Sequence, residues 1–131
     1  MKVAIDTNVL VRYLTADDPG QAAASTRIME GGDDIVISTV VLCETVWVLR
    51  RAYRYEREQI VIALRLVVES SNVIVDRPVA ESGFAMLARG GDFADGVIAY
   101  DAERSGADRL FTFDRTFAQL SDPARVRLIE A

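Results

Sequence analysis

Short apolar runs alternate along this chain with longer segments that have the periodicity of a helix. Runs of three or four apolar residues bounded by turn signals predict strands at residues 3–5, 35–37, 73–75 and 109–112, and residues 126–129 fit a last, edge strand. The intervening segments predict helices at residues 8–14, 19–29, 39–51, 57–68 and 93–104, with another that begins at Pro78.

Strands that are apolar throughout and alternate with helices are typical of a parallel sheet covered on both faces. The length of 131 residues is close to the common size of one domain. We therefore expect an α/β fold, a single domain over residues 1–131 with a central parallel sheet of four to five strands flanked by helices. Sites in such sheets lie beyond the carboxyl ends of the strands.

Composition excludes several classes of catalytic site. The chain has no histidine, which excludes Ser-His-Asp triads, Cys-His pairs and histidine-ligated zinc. Its single cysteine, Cys43, cannot form an intrachain disulfide, and a reducing cytoplasm is the expected location. The apolar runs are too short to span a bilayer, so no membrane partner is expected. Carboxylates remain in quantity, with 20 aspartate and glutamate residues.

The charge distribution leaves nucleic-acid binding open. A net charge of −5 argues against broad electrostatic attraction to nucleic acid. Four arginines cluster where two predicted helices meet: Arg50, Arg51, Arg54 and Arg57. A solvated turn is the favoured interpretation, and an RNA-backbone patch with stacking tyrosines is the alternative. The nearby Trp47 is assigned to the core.

Four acidic residues stand at positions where a parallel sheet places its sites. Asp6 and Asp114 follow strands, Asp95 lies in the first turn of a helix that Asp92 can cap, and Glu44 lies two turns into an apolar helix. Each has a simpler explanation, respectively a helix cap, a turn, a favourable charge at a helix start and a salt bridge. Glu44 is the most informative, because a glutamate in so apolar a helix is expected to be partly buried.

The four together indicate a metal site. In a parallel sheet with adjacent first, second and fourth strands they can meet at one edge, where carboxylates about 4 Å apart repel by up to ~4 kcal/mol per pair. Such a group is stable around Mg²⁺ or Mn²⁺, which take oxygen ligands and bind phosphates. Arg115, next to Asp114, is a candidate for contacting a phosphate near that metal.

The ordered set resembles a PIN domain, and most closely the VapC-type toxins of toxin–antitoxin pairs. The likeness rests on Asp6-Thr7-Asn8, Glu44, Phe93-Ala94-Asp95 and Thr112-Phe113-Asp114, and it covers essentially the whole chain. It implies an endoribonuclease dependent on Mg²⁺ or Mn²⁺ that cleaves RNA with a metal-activated water, and whose acidic quartet is Asp6, Glu44, Asp95 and Asp114.

The resemblance also implies partners and supporting residues. Asn8 and Thr112 match positions that support the quartet through polar contacts, and the family implies a homodimer and a cognate antitoxin protein that blocks the site. Gly96 departs from the alanine expected after the third aspartate, and we expect it to loosen the helix start slightly.

Three alternatives remain open. A PIN nuclease that processes RNA without an antitoxin has the same acidic site. A receiver or phosphatase-like domain also places an aspartate after its first strand, but it needs a later lysine, and Lys2 is the only lysine of this chain. A binding module that has lost its chemistry is disfavoured by an intact quartet, because unused buried carboxylates destabilise a fold.

Overall fold

The helices and strands lie close to the segments that the hydrophobic pattern predicts. The structure is a computed structural model that describes residues 1–131. The elements in chain order are β1 (Lys2–Ala4), α1 (Thr7–Thr15), α2 (Pro19–Met29), β2 (Asp34–Val36), α3 (Thr39–Arg51), α4 (Arg57–Val68), β3 (Val73–Ile74), α5 (Arg77–Ala88), α6 (Phe93–Arg104), β4 (Leu110–Thr112), α7 (Arg115–Gln119) and β5 (Val126–Leu128). The fold is α/β and all strand pairs are parallel, as predicted.

The chain contains two compact units, Met1–Arg77 and Pro78–Ala131. The five strands pair in two groups, β1-β2-β3 in the first unit and β4-β5 in the second. The five expected strands are therefore present, but they pair as three and two rather than in one central sheet of four to five. The assignment of residues 1–131 to one domain stays a prediction.

The first unit is built on the three-stranded sheet. Val3 pairs with Ile35, and Ile35 pairs with Val73, so β2 is the central strand. Ile35 and Ile37 are almost fully buried there, which agrees with the apolar character of a central parallel strand. Side-chain caps fix where the helices begin: Ser38 Oγ accepts a hydrogen bond from the backbone N–H of Val41 at the start of α3.

The second unit packs its helices against the β4-β5 pair. Met86, Phe117 and Val126 form a buried cluster, and Phe84 meets Phe93 edge to face with ring centroids 5.4 Å apart. The short helix α7 is absent from the sequence prediction. Its five residues are too few to show a helical period, and Asp114 at its N-cap is the only signal of it.

Close packing between α5 and α6 explains Gly96. A Cβ atom at this position would overlap the Ser82 carbonyl oxygen and the Met86 side chain. The glycine is buried and allows the two helices to approach. The structure thus adds a packing reason for Gly96, and a looser start of α6 stays a prediction.

None of the helices is both long and apolar enough to cross a membrane.

Candidate active site

Asp6 lies two residues after the end of β1 and caps α1. Its Oδ1 atom accepts a hydrogen bond of 3.1 Å from the backbone N–H of Val9. The simple explanation of this residue, a helix cap, is therefore correct, but it uses only one of the two carboxylate oxygens. The side chain is exposed, so the other oxygen remains available to a cation.

Glu44 is tied to the start of α1 through a threonine. Thr7 Oγ1 donates a hydrogen bond of 2.8 Å to Glu44 Oε1, joining two residues 37 positions apart in the chain. This bond orients the carboxylate and leaves Oε2 for another ligand. Glu44 is exposed, so the expectation of partial burial was wrong. The apolar side chains around it in sequence cover other faces of α3.

A cavity of about 470 Å³ joins these residues in the first unit. Four polar residues and two apolar ones line it: Asp6, Thr7, Asn8, Glu44, Trp47 and Val48. Asn8 lines this cavity, and its support of the acidic residues stays a prediction. Trp47 is also part of the wall and 62% exposed, which corrects its assignment to the core.

Asp95 lies in the first turn of α6 in the second unit, where its ionisation is disfavoured. Burial, followed by the negative charges of Asp92 and Asp114, raises the pKa of Asp95 to about 6. Asp92 occupies the N-cap position of α6, but its side chain makes no capping hydrogen bond. Two carboxylates therefore repel the half-buried third one, which is the electrostatic pattern of a cation-binding site.

Asp114 is held in place by hydrogen bonds on both sides. Its Oδ1 accepts from the backbone N–H of Phe117 at 3.0 Å, which caps α7. Its own N–H donates to Thr112 Oγ1, also at 3.0 Å. Thr112 thus contacts the backbone of the aspartate that it was expected to support. Arg115 follows in the first turn of α7 and is exposed.

The structure brings the four acidic residues together in pairs, Asp6 with Glu44 in the first unit and Asp95 with Asp114 in the second. Neither unit by itself gathers three aspartate, glutamate or cysteine side chains at metal-binding distance. The donor set fits Mg²⁺ or Mn²⁺, because every available ligand is an oxygen and the charge at Asp95 is the kind that a cation relieves.

Sequence reasoning named three further residues without giving them the roles found here. Thr7, Asp92 and Trp47 respectively orient Glu44, raise the pKa of Asp95 and line the cavity. Thr7 was signalled by its place beside Asp6, and Asp92 by its separation of three residues from Asp95. Trp47 had a weaker signal, its position one helical turn from Glu44.

Comparison with known proteins identifies the family of this chain. The crystal structure of VapC20 from Mycobacterium tuberculosis, described as a toxin that cleaves the sarcin-ricin loop, is similar at 20% sequence identity and a TM-score of 0.44 over 91% of this chain and 94% of that chain. No curated protein matches. The family model of the PIN domain matches residues 3–123, nearly the whole sequence. The chain therefore belongs to the PIN-domain family.

Proposed function

We propose that this protein is an endoribonuclease dependent on Mg²⁺ or Mn²⁺, and that Asp6, Glu44, Asp95 and Asp114 are its metal ligands. Membership of the PIN family supports a nuclease. The observation that carries the proposal is the electrostatic state of Asp95, whose half-buried carboxyl faces two further carboxylates. Such repulsion costs stability in the free protein, and a divalent cation converts it into binding energy.

The contacts within each unit assign a task to the supporting residues. The Thr7 hydroxyl holds one oxygen of Glu44, and the caps on α1 and α7 hold one oxygen each of Asp6 and Asp114. The remaining oxygens keep a fixed orientation, which lowers the entropy that metal binding must remove. When bound, the cation activates water and neutralises charge on the phosphodiester.

Arg115 supplies a positive charge next to Asp114. It follows Asp114 directly and its side chain is exposed. A guanidinium group can hold a phosphate oxygen with two parallel hydrogen bonds, so Arg115 is proposed to position the RNA backbone. It takes no part in holding the metal.

The test is cleavage of total cellular RNA by the purified protein with Mg²⁺, with Mn²⁺ and with EDTA. We expect discrete fragments with 5′-phosphate and 3′-hydroxyl ends that require the metal and are absent with Asp95→Asn. Asp101→Asn is the matched control, because this aspartate lies on the same helix but pairs with Arg104. Folded, metal-loaded protein that cleaves no RNA would contradict the proposal and favour a non-catalytic module.

The sequence resemblance further supports a role as the toxin of a VapBC-type pair. We propose a cytoplasmic homodimer that is inhibited by a cognate antitoxin protein. Growth arrest on expression, relieved by co-expressing a small gene adjacent to this one, is the expected result. Cleavage in vitro without growth arrest would instead favour an RNA-processing PIN nuclease.

A further inference from the structure

Trp47 is a large aromatic side chain that the fold leaves exposed. It is the only tryptophan of the chain and remains 62% exposed on α3. The buried face of this helix is formed by other residues, Val41, Leu42, Thr45, Val46 and Leu49. A tryptophan ring left in water forgoes a large stabilising burial, so its place needs an explanation other than the core.

The ring lies at the wall of the acidic cavity. Trp47 is three residues after Glu44, which places both on one side of the helix, and it lines the same cavity as Asp6 and Asn8. The cavity volume of about 470 Å³ is within the range of small-molecule sites, which is ~300–1,000 Å³. A flat apolar ring thus adjoins the groups proposed to handle a phosphodiester.

Positive charge continues along the helix beyond the ring. The guanidinium carbon of Arg51 lies over the Trp47 ring, 6.0 Å from its centroid. Arg51, the last residue of α3, is exposed, as is Arg54 in the turn that follows the helix. From Glu44 to Arg51 the helix rises about 10 Å, so acidic, aromatic and basic groups follow one another along α3.

This order of groups matches one class of ligand. A single-stranded nucleic acid presents a flat base and a charged phosphate in every unit, and proteins bind it by stacking bases on aromatic rings beside basic residues. We propose that Trp47 stacks against an unpaired base of the RNA substrate and that Arg51 contacts the adjoining phosphate. The inference deepens the proposed nuclease function and rests on it for the identity of the substrate.

The experiment exploits the single tryptophan. Because Trp47 is the only one, its emission alone reports on this position. Single-stranded oligouridylate and oligoadenylate are titrated into Asp95→Asn, which does not consume the probe, with and without Mg²⁺. Saturable quenching by the single strands, and much weaker quenching by duplex RNA of the same length, is the expected result. Unchanged emission at every RNA concentration in both conditions overturns the inference.

Variants then measure the contribution of the ring. In the same background, we expect Trp47→Ala to weaken binding of fluorescently labelled single-stranded RNA about tenfold. Trp47→Phe is expected to stay within about threefold of the parent, since a smaller ring still stacks. Ile62→Ala is the matched control, because it removes another exposed apolar side chain from a different helix. In the active enzyme, Trp47→Ala should raise KM more than it lowers kcat.

The outcomes separate this inference from the proposed function. If the protein binds RNA and quenches Trp47 emission but never cleaves, the nuclease proposal fails and the stacking site stands. If cleavage is normal and Trp47→Ala leaves KM and RNA affinity unchanged, the stacking site fails alone. Sedimentation of Trp47→Ala tests the competing occupant, a second copy of the chain: loss of self-association with unchanged RNA affinity assigns the ring to a subunit interface and overturns the inference.

Discussion

At the scale of single residues, Asp95 illustrates how a functional group lowers the stability of the free protein. Its ordinary pKa of 3.8 is raised to about 6 by burial and by Asp92 and Asp114. Between these two values the folded state binds more protons than the unfolded state. The free energy of unfolding therefore falls as pH rises from about 4 to 6, and the ionised carboxylate destabilises the folded protein at neutral pH.

We expect Asp95→Asn to stabilise the metal-free protein at pH 7. The full shift corresponds to about 3 kcal/mol, but solvent screening of this half-buried carboxyl reduces the gain to about 1 kcal/mol. Thermal unfolding in EDTA should show a Tm raised by about 4 °C at pH 7, and the gain should disappear below pH 4, where Asp95 is protonated. A Tm that Asp95→Asn leaves unchanged or lowers at pH 7 would contradict this account, and Asp101→Asn provides the comparison.

Thr7 offers a second test at this scale. Thr7→Val keeps the shape of the side chain but removes the hydrogen bond to Glu44. Removing a group that hydrogen-bonds to a metal ligand typically lowers metal affinity by about 10–100-fold, so we expect Thr7→Val to weaken Mg²⁺ binding about tenfold. Thr7→Ser restores the donor and should restore most of the affinity. Isothermal titration measures both, and equal Mg²⁺ affinity in Thr7→Val and the parent would show that this bond does not orient a ligand.

The residues also show what a sequence can and cannot reveal. Asp6 and Asp114 were predicted correctly as strand-end groups, because a strand followed by an aspartate is a local pattern. The exposure of Glu44 and Trp47 was not predicted, because an apolar helix does not indicate which of its faces the rest of the fold covers. The contact between Thr7 and Glu44 spans 37 residues and has no local signal.

At the scale of elements, the hydrophobic pattern located all five strands and six of the seven helices, usually to within two residues. Local signals are sufficient for this, since helix caps, glycines and periodicity are properties of short segments. The grouping of strands was harder to predict. Pairing of β1 with β2 and of β4 with β5 depends on packing between distant segments, which periodicity does not encode.

Gly96 provides the test at the scale of elements. Helix propensity favours Gly96→Ala by about 1 kcal/mol, whereas the new Cβ would overlap the Ser82 carbonyl oxygen, which is backbone and cannot move aside cheaply. We expect the overlap to dominate, with a net destabilisation of about 1–3 kcal/mol in urea unfolding. At Gly20 in α2 a Cβ would meet only Asp18 Oδ1, at an ordinary 3.7 Å. Gly20→Ala should therefore be neutral or stabilising, and equal effects of the two substitutions would refute the packing explanation.

At the scale of the whole molecule, charge and metal binding are linked. The protein carries a net charge of −5 and four of its acidic residues are proposed ligands, so without metal it should repel RNA. Under the proposed function, a bound divalent cation would reduce that repulsion and would place positive charge near the phosphodiester. RNA affinity should therefore depend on metal as well as on the arginines.

Metal binding should stabilise the folded chain, and the size of the effect tests the acidic set. At a Mg²⁺ concentration about 100 times the Kd, linkage adds about 2.7 kcal/mol, or a rise in Tm of about 10 °C for a chain of this size. If all four acidic residues are needed, Asp6→Asn and Asp114→Asn, one from each compact unit, should each abolish most of that rise. If Asp114→Asn abolishes it and Asp6→Asn leaves it intact, metal binding belongs to the second unit alone, and Asp6 is only the cap of α1 that its hydrogen bond to Val9 makes it.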